Sequence, residues 1–422
     1  MHLLIRQARV VAPGSEFHDQ VVDLLIEDGI IKNIGKGLKS KEAEVIEADG
    51  LHVCPGFTDV FADYREPGYE HKETIASGLE AAAAGGFTSV LLVPNTNPVV
   101  GSKSAVQFIL KKAAGNAVSV YPLGAATKET EGKALAEMLD MHSNGAVAFT
   151  DGWKPVQNAN LMLKALEYVK AFDGTIVQIP ADAPLSEGGL MHEGPTSTRL
   201  GMAGIPTLAE TILLHRDIEL LRYTGSKLHV TGVSSKEGVE MIRKAKAEGL
   251  NISCSVSPYH LALNDEALNT YNSLYKVSPP LRSEADRQAL IAGLKDGTID
   301  CIASHHRPQE WDAKAKEFEY ASEGMNVQEI TFQLVYKACG DKIPLERIID
   351  ALAVKPKQVF GLDSATIRKD AKANLAIFSI GGEWKLEKRK VQSLSANNPF
   401  IDTIFNSRIV GIVNNEQSHL NK

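Results

Sequence analysis

The chain opens on short apolar runs spaced like strands. Leu3–Ile5 and Ala8–Ala12 come first, Val21–Ile26 follows, and Asp28-Gly29 marks a tight turn before Ile30-Ile31. Val45-Ile46 and Leu51–Cys54 complete the set. No helical periodicity separates these runs, so they predict a small antiparallel sheet. From Pro55 the pattern changes. Short β-rich runs at Phe57–Val60, Thr88–Val93, Val118–Pro122, Ala146–Thr150, Thr175–Ile179, Lys227–Thr231, Asn251–Val256 and Ile299–Ala303 alternate with amphipathic stretches. Those stretches include Thr74–Ala84, Leu161–Ala171, Leu208–Tyr223, Lys236–Ala247 and Arg287–Leu294. Strands alternating with helices build a parallel sheet, and this number of units points to a closed (β/α)8 barrel. An open doubly wound sheet is the competitor, but no glycine-rich dinucleotide fingerprint follows the first strand.

After Gly361-Leu362 the alternation stops. Asn374–Phe378, Trp384–Leu386 and Ile409–Val413 again read as strands. The simplest arrangement pairs the two ends of the chain. Residues 1–54 and 363–422 then form a small β-sandwich beside a barrel at 55–362, an α/β fold overall.

Composition narrows the function classes. A net charge of −7, with no basic run longer than Lys385–Lys390, argues against a nucleic-acid surface. No apolar stretch reaches the length of a membrane span, and the run after Met1 breaks too early for a secretory leader, so a cytoplasmic protein with no membrane partner is expected. Cys54, Cys254, Cys301 and Cys339 form no C-x-x-C pair and read as buried free thiols.

In a barrel of this kind chemistry sits at the C-terminal ends of the strands. The residues that follow them are Asp63–Gly68, Pro94–Pro98, Asp151-Gly152, Met191–Gly194, Ser278–Arg282 and Ser304–Pro308. Arg65-Glu66-Pro67-Gly68, Pro94-Asn95-Thr96-Asn97-Pro98, Met191-His192-Glu193-Gly194, Gly204-Ile205-Pro206 with Ala209-Glu210, Pro279-Pro280-Leu281-Arg282, Gly324-Met325 before Glu329, and Asn398-Pro399-Phe400 stand in a characteristic order and spacing. In this respect the chain resembles the dihydroorotase family of amidohydrolases, essentially end to end. The resemblance implies a barrel carrying a small β-sandwich. It also implies a reaction that closes N-carbamoyl-aspartate to dihydroorotate on a zinc centre.

Such a centre needs imidazole and carboxylate ligands at strand ends with one position open. The family's pattern places His-x-His after strand one, a bridging Asp or carboxylated Lys after strand four, a His after each of strands five and six, and an Asp after strand eight. Here those positions read Phe61-Ala62-Asp63, Asp151 followed by Gly152, Ile179, Gly232 and His305. His229 corresponds to an extra family His three residues before the strand-six ligand. On this reading no metal, no cofactor and no catalytic residue are expected. The alternative is a rebuilt zinc site at Asp63, Asp151 and His305, with His305 the candidate catalytic group; against it stands a direct Asp63–His305 hydrogen bond. Arg65 and Asn95 match the family residues that grip the substrate carboxylate, and a guanidinium suits that task; Arg65 paired with Asp63 or Glu66 in support of the barrel mouth stands level with that reading. His192, His306, Arg282 and Glu193 read as loop-holding residues.

The function expected from this set is a non-catalytic dihydroorotase homologue of pyrimidine biosynthesis, a structural or regulatory partner of a protein such as aspartate transcarbamoylase. The alternatives are an active dihydroorotase or related cyclic-amide hydrolase using the rebuilt site, and a module binding a small anionic pyrimidine precursor through Arg65 and Asn95. A homo-oligomer is expected in each case.

Overall fold

The computed structural model describes residues 1–421. Strand β1 (His2–Val10) pairs antiparallel with β2 (Val21–Glu27), which pairs with β3 (Ile30–Gly35). Strands β4 (Glu44–Ile46) and β5 (Leu51–Pro55) run parallel to β1, so the expected antiparallel sheet is in fact mixed. The polar stretches between them are long enough to carry the chain back to the same end, a return that the spacing of apolar runs does not reveal. The expected runs Leu3–Ile5 and Ala8–Ala12 belong to one strand with a register shift between Ile5 and Ala8, where Gln7 takes φ 50°. The extra residue re-phases the alternation, which makes one strand look like two.

The barrel follows directly. Its strands are β6 (Phe57–Ala62), β7 (Phe87–Leu92), β8 (Ser119–Gly124), β9 (Ala148–Phe149) and β10 (Ile176–Gln178). A two-stranded ladder of β11 (Met191–His192) and β12 (Gly204–Ile205) then stands apart in a loop. Strands β13 (Leu228–Thr231), β14 (Ile252–Val256) and β15 (Cys301–Ile302) complete the set of eight parallel strands. The ring closes where Ala62 bridges His306 and the Asp63 N–H donates to the His306 carbonyl at 2.9 Å. All six residues of β6 and all six of β7 are buried, as strands covered on both faces must be. The surrounding helices start at side-chain caps: Thr74 before Ile75–Ala84, Ser102 before Lys103–Ala113, Ser235 before Lys236–Ala247 and Ser283 before Glu284–Asp296.

Strands β16 (Leu375–Lys385), β17 (Ile404–Asn414) and β18 (Gln417–Leu420) bring the C-terminal end onto β5. One apolar face of this eight-stranded terminal sheet packs on itself around Leu3, Ile5, Leu24, Val53 and Ile377. The other face puts Ala376, Phe378, Ile409 and Ile412 into the core of the barrel. Each fully buried Leu, Ile or Phe contributes about 1.5–3 kcal/mol, so the terminal sheet buttresses the barrel. Among the described residues no helix is long and apolar enough to cross a membrane.

Candidate functional site

The residues at the C-terminal end of the barrel are fixed by the strands that deliver them. Past β6, Asp63 is fully buried, and its Oδ1 accepts the Arg65 N–H at 3.0 Å. Its Oδ2 accepts the indole N–H of Trp153 at 2.9 Å and lies 3.2 Å from Nη1 of Arg65. Asp63 is therefore spent on placing a guanidinium and an indole. Past β9, the Asp151 carboxylate accepts the backbone N–H of Thr127 at 2.8 Å and the Thr127 hydroxyl. Burial raises the Asp151 pKa, and the Thr127 hydrogen bonds oppose that rise. Past β15, His305 is fully buried, and its Nε2 pairs with the Thr231 hydroxyl at 2.8 Å. Burial holds its pKa down at about 3, so the ring is neutral.

Three rings meet in this region. Phe61 stands edge-on to Trp153 with centroids 5.0 Å apart, and His305 lies 4.9 Å from Phe61 and 5.5 Å from Trp153. Ile179 is buried in the same apolar layer as Phe61. Gly232 makes room for the third ring: at φ +75° a Cβ there would lie 2.7 Å from Cε1 of His305. The absence of a side chain at 232 and the seat of the imidazole at 305 are thus sterically linked. Gly152 behaves similarly. At φ +61° a Cβ there would lie 1.7 Å from Oδ1 of Asn95, whose amide clasps the turn by donating to the Asp151 carbonyl at 3.0 Å and accepting from the Trp153 N–H at 3.0 Å.

The expected site residues therefore separate. Arg65 and Asn95 come together at the mouth of the barrel, lining one cavity of about 450 Å³. Asp63, Asp151 and His305 do not converge on a point that one ion could occupy. Among the described residues the His/Cys/Asp/Glu group that does gather ligand atoms is His18, Asp19 and Glu346, between the β1–β2 loop and the helix Leu345–Ile349. The direct Asp63–His305 hydrogen bond is not formed either, because Trp153 and Thr231 take the two partners. Trp153 and Arg307 were not singled out in the sequence. Arg307 lies with its guanidinium carbon 4.5 Å from the Trp153 ring centroid and lines the same cavity. Its position two residues beyond His305, in a strand-end loop, is the signal that marks it.

A second buried assembly lies to one side. The Glu210 carboxylate accepts the N–H of Ser235 at 3.1 Å, the Ser235 hydroxyl at 2.8 Å and the Ser234 hydroxyl. Arg282 lies 3.3 Å from it, donates to Ser234 at 3.0 Å, and meets Nδ1 of His192 at 3.3 Å. Three of the sequence motifs thus converge on one network that holds loops together.

Against this geometry stand the comparisons. The family model described as Dihydro-orotase-like matches residues 50–238. A dihydroorotase of Geotalea daltonii is 41% identical over 404 residues, 95% of each chain. A dihydroorotase of Syntrophus aciditrophicus is 39% identical over 414 residues, 97% of each chain. The chain belongs to the dihydroorotase family. Among solved structures, the L-hydantoinase of Arthrobacter aurescens superposes with a TM-score of 0.86 at 22% identity, covering 100% of this chain and 97% of that one. A D-hydantoinase of Thermus sp. gives 0.82 at 22% identity, covering 99% and 95%. At that identity these neighbours show the fold alone.

Membership in the dihydroorotase family overturns the expectation of no cofactor, because the relatives it matches are metal-dependent, zinc-using amidohydrolases. The residues at this mouth nevertheless do not fit a zinc ion in the arrangement found. Phe61, Ile179 and Gly232 offer no ligand atom, and the carboxylates of Asp63 and Asp151 are engaged by Trp153, Arg65 and Thr127. Of the three candidate ligand side chains, His305 alone keeps a free donor atom, a buried Nδ1 with no hydrogen-bond partner.

Proposed function

We propose that this dihydroorotase-family chain binds the ligands of the dihydroorotase reaction, N-carbamoyl-aspartate and dihydroorotate, in the cavity at the barrel mouth. The observation that carries this reading is Arg65. Its side chain is 10% exposed, faces the cavity, and leaves a buried Nε without a partner. A planar guanidinium in that state matches a ligand carboxylate. Asn95 stands beside it with one amide N–H to spare, and the Trp153 indole walls the space. Titration calorimetry with L-dihydroorotate tests the reading: saturable binding abolished by Arg65→Ala is expected, and binding indifferent to Arg65 sinks it.

A second reading, that the chain also turns the ligand over as an active dihydroorotase or related cyclic-amide hydrolase, is favoured by the name its relatives share over 95% or more of their length. The same relatives lend no support to a non-catalytic partner of aspartate transcarbamoylase. Dihydroorotate hydrolysis, assayed with and without added zinc, separates these readings. Turnover supports the enzyme, and its absence beside intact binding leaves the ligand-binding role.

A further inference from the structure

Arg65 is not the only guanidinium at the mouth. Arg307 is set by a backbone ladder: its N–H donates to the Met325 carbonyl at 3.1 Å, and its own carbonyl accepts from Asn397 Nδ2 at 3.0 Å. The chain at Gly324 packs against it so closely, at φ +134°, that a Cβ there would lie 2.5 Å from the Arg307 carbonyl oxygen. Its side chain is pressed on the face of Trp153, with Nη1 3.1 Å from Glu323. Its Nε, like that of Arg65, is buried without a partner. One indole links the two cations: Trp153 donates through its edge to Asp63, which holds Arg65, and carries Arg307 on its face.

Unpartnered polar hydrogens in a buried setting are costly, and two like charges near each other add to the cost. Burial lowers the Arg307 pKa; Glu323 works against that shift and Arg65 with it. Lys72 and Lys154 also line the cavity, with Glu323 as its one carboxylate lining. Counting Asp63 beneath Arg65 and Glu310, which lies 3.2 Å from Lys72, the set remains positive, four cations against three acids. Part of that excess sits on two forks, each shaped to take a carboxylate.

We propose that Arg307 is a second anion-binding group, and that together with Arg65 it makes the mouth a site for small dicarboxylates. This inference rests on the ligand-binding reading above and sharpens it. The open-chain ureide carries two carboxylates and the closed ring carries one, so the site selects the open form. Arg65 holds the carboxylate common to both ligands, and Arg307 holds the one that ring closure removes. A positive side chain thus stands beside the region that Phe61, Trp153 and His305 fill with rings.

The test is calorimetry on the full chain with N-carbamoyl-L-aspartate and L-dihydroorotate, then succinate and butyrate as four-carbon probes that no hydrolase turns over. We expect the open ureide to bind about tenfold or more tighter than the ring, and succinate tighter than butyrate by a similar factor. Arg307→Ala should erase both preferences while leaving the ring's affinity within about twofold, whereas Arg65→Ala should weaken both ureide and ring. Equal affinity for open and closed ligands, or a preference that survives Arg307→Ala, overturns the dicarboxylate site and leaves the ligand-binding reading standing. Failure of all four ligands to bind overturns both. Should Arg307→Ala lose its cooperative thermal transition, the succinate-to-butyrate ratio of the unsubstituted protein decides: a ratio near one ends the proposal.

Discussion

Two buried polar assemblies lie in the loops of this barrel, and they have fared differently. Around Glu210, Arg282, Ser234, Ser235 and His192 every named partner finds another, and the motifs that carry them match the family. Around Phe61, Trp153 and His305 three rings fill the end of the barrel and pack on one another, and His305 keeps a ring nitrogen without a partner. The contrast teaches that a loop-holding network and a reaction centre are separable even when both hang on the same strands. The network keeps the loops in place, and the three rings hold one another as a packed set.

The largest effect should come from the network. Glu210→Ala leaves Arg282 charged and buried, and urea denaturation should show a loss of about 3–5 kcal/mol. A loss below about 1 kcal/mol would mean that the network does not hold the loops. Next comes the steric link at the mouth. Gly232→Ala drives a methyl into His305 from a left-handed backbone, and a cost of about 1–3 kcal/mol is expected. Pairing it with His305→Ala should return part of that cost, read as a coupling energy in a double-mutant cycle. Independent, additive costs would break the claim that Gly232 and His305 are sterically linked.

Acid should sharpen the comparison further. Burial lowers His229 and His305 to about 3 and His260 to about 4, so the folded chain refuses protons that the unfolded chain takes below about 6.5. Stability from these three is fully present above that pH and is lost as pH falls toward 4. Glu329, raised to about 7, and Asp217, raised to about 6, act with the opposite sign, since the folded state holds their protons first. The three imidazoles outnumber these two carboxyls, so a loss of stability is expected between about pH 6 and 4.5, measurable as a falling urea midpoint. Stability that rises over that window would show that the buried imidazoles are not neutral. A smaller effect on stability, about 1 kcal/mol, is expected for Arg65→Ala, which takes the cation from the buried Asp63 while the Trp153 indole N–H still bonds that carboxylate; its larger consequence lies in ligand affinity.

Much of the fold was legible because its signals are local. Period-2 and period-3.6 patterns located all eight barrel strands and several of the helices, with Lys236–Ala247 placed to the residue, but the helices Lys103–Ala113 and Thr331–Cys339 were not singled out. Strand β18 escaped because Gln417–Leu420 is polar and pairs along an edge. The bulges at Gln7 and near Gly381-Gly382 split single strands into apparent pairs, since a register shift hides continuity.

By itself the sequence determined the family, the barrel and the absence of any metal-binding side-chain atom at Phe61, Ile179 and Gly232, because residue identity alone decides whether such an atom exists there. Only the tertiary structure decided what Asp63, Asp151 and His305 do instead. A carboxylate or imidazole takes whichever partner the fold brings within about 3 Å, and Trp153, Thr127 and Thr231 reach those atoms from distant parts of the chain. The same holds for Arg307, an arginine in a loop by sequence and a cation on an indole at the mouth of a cavity once the barrel closes.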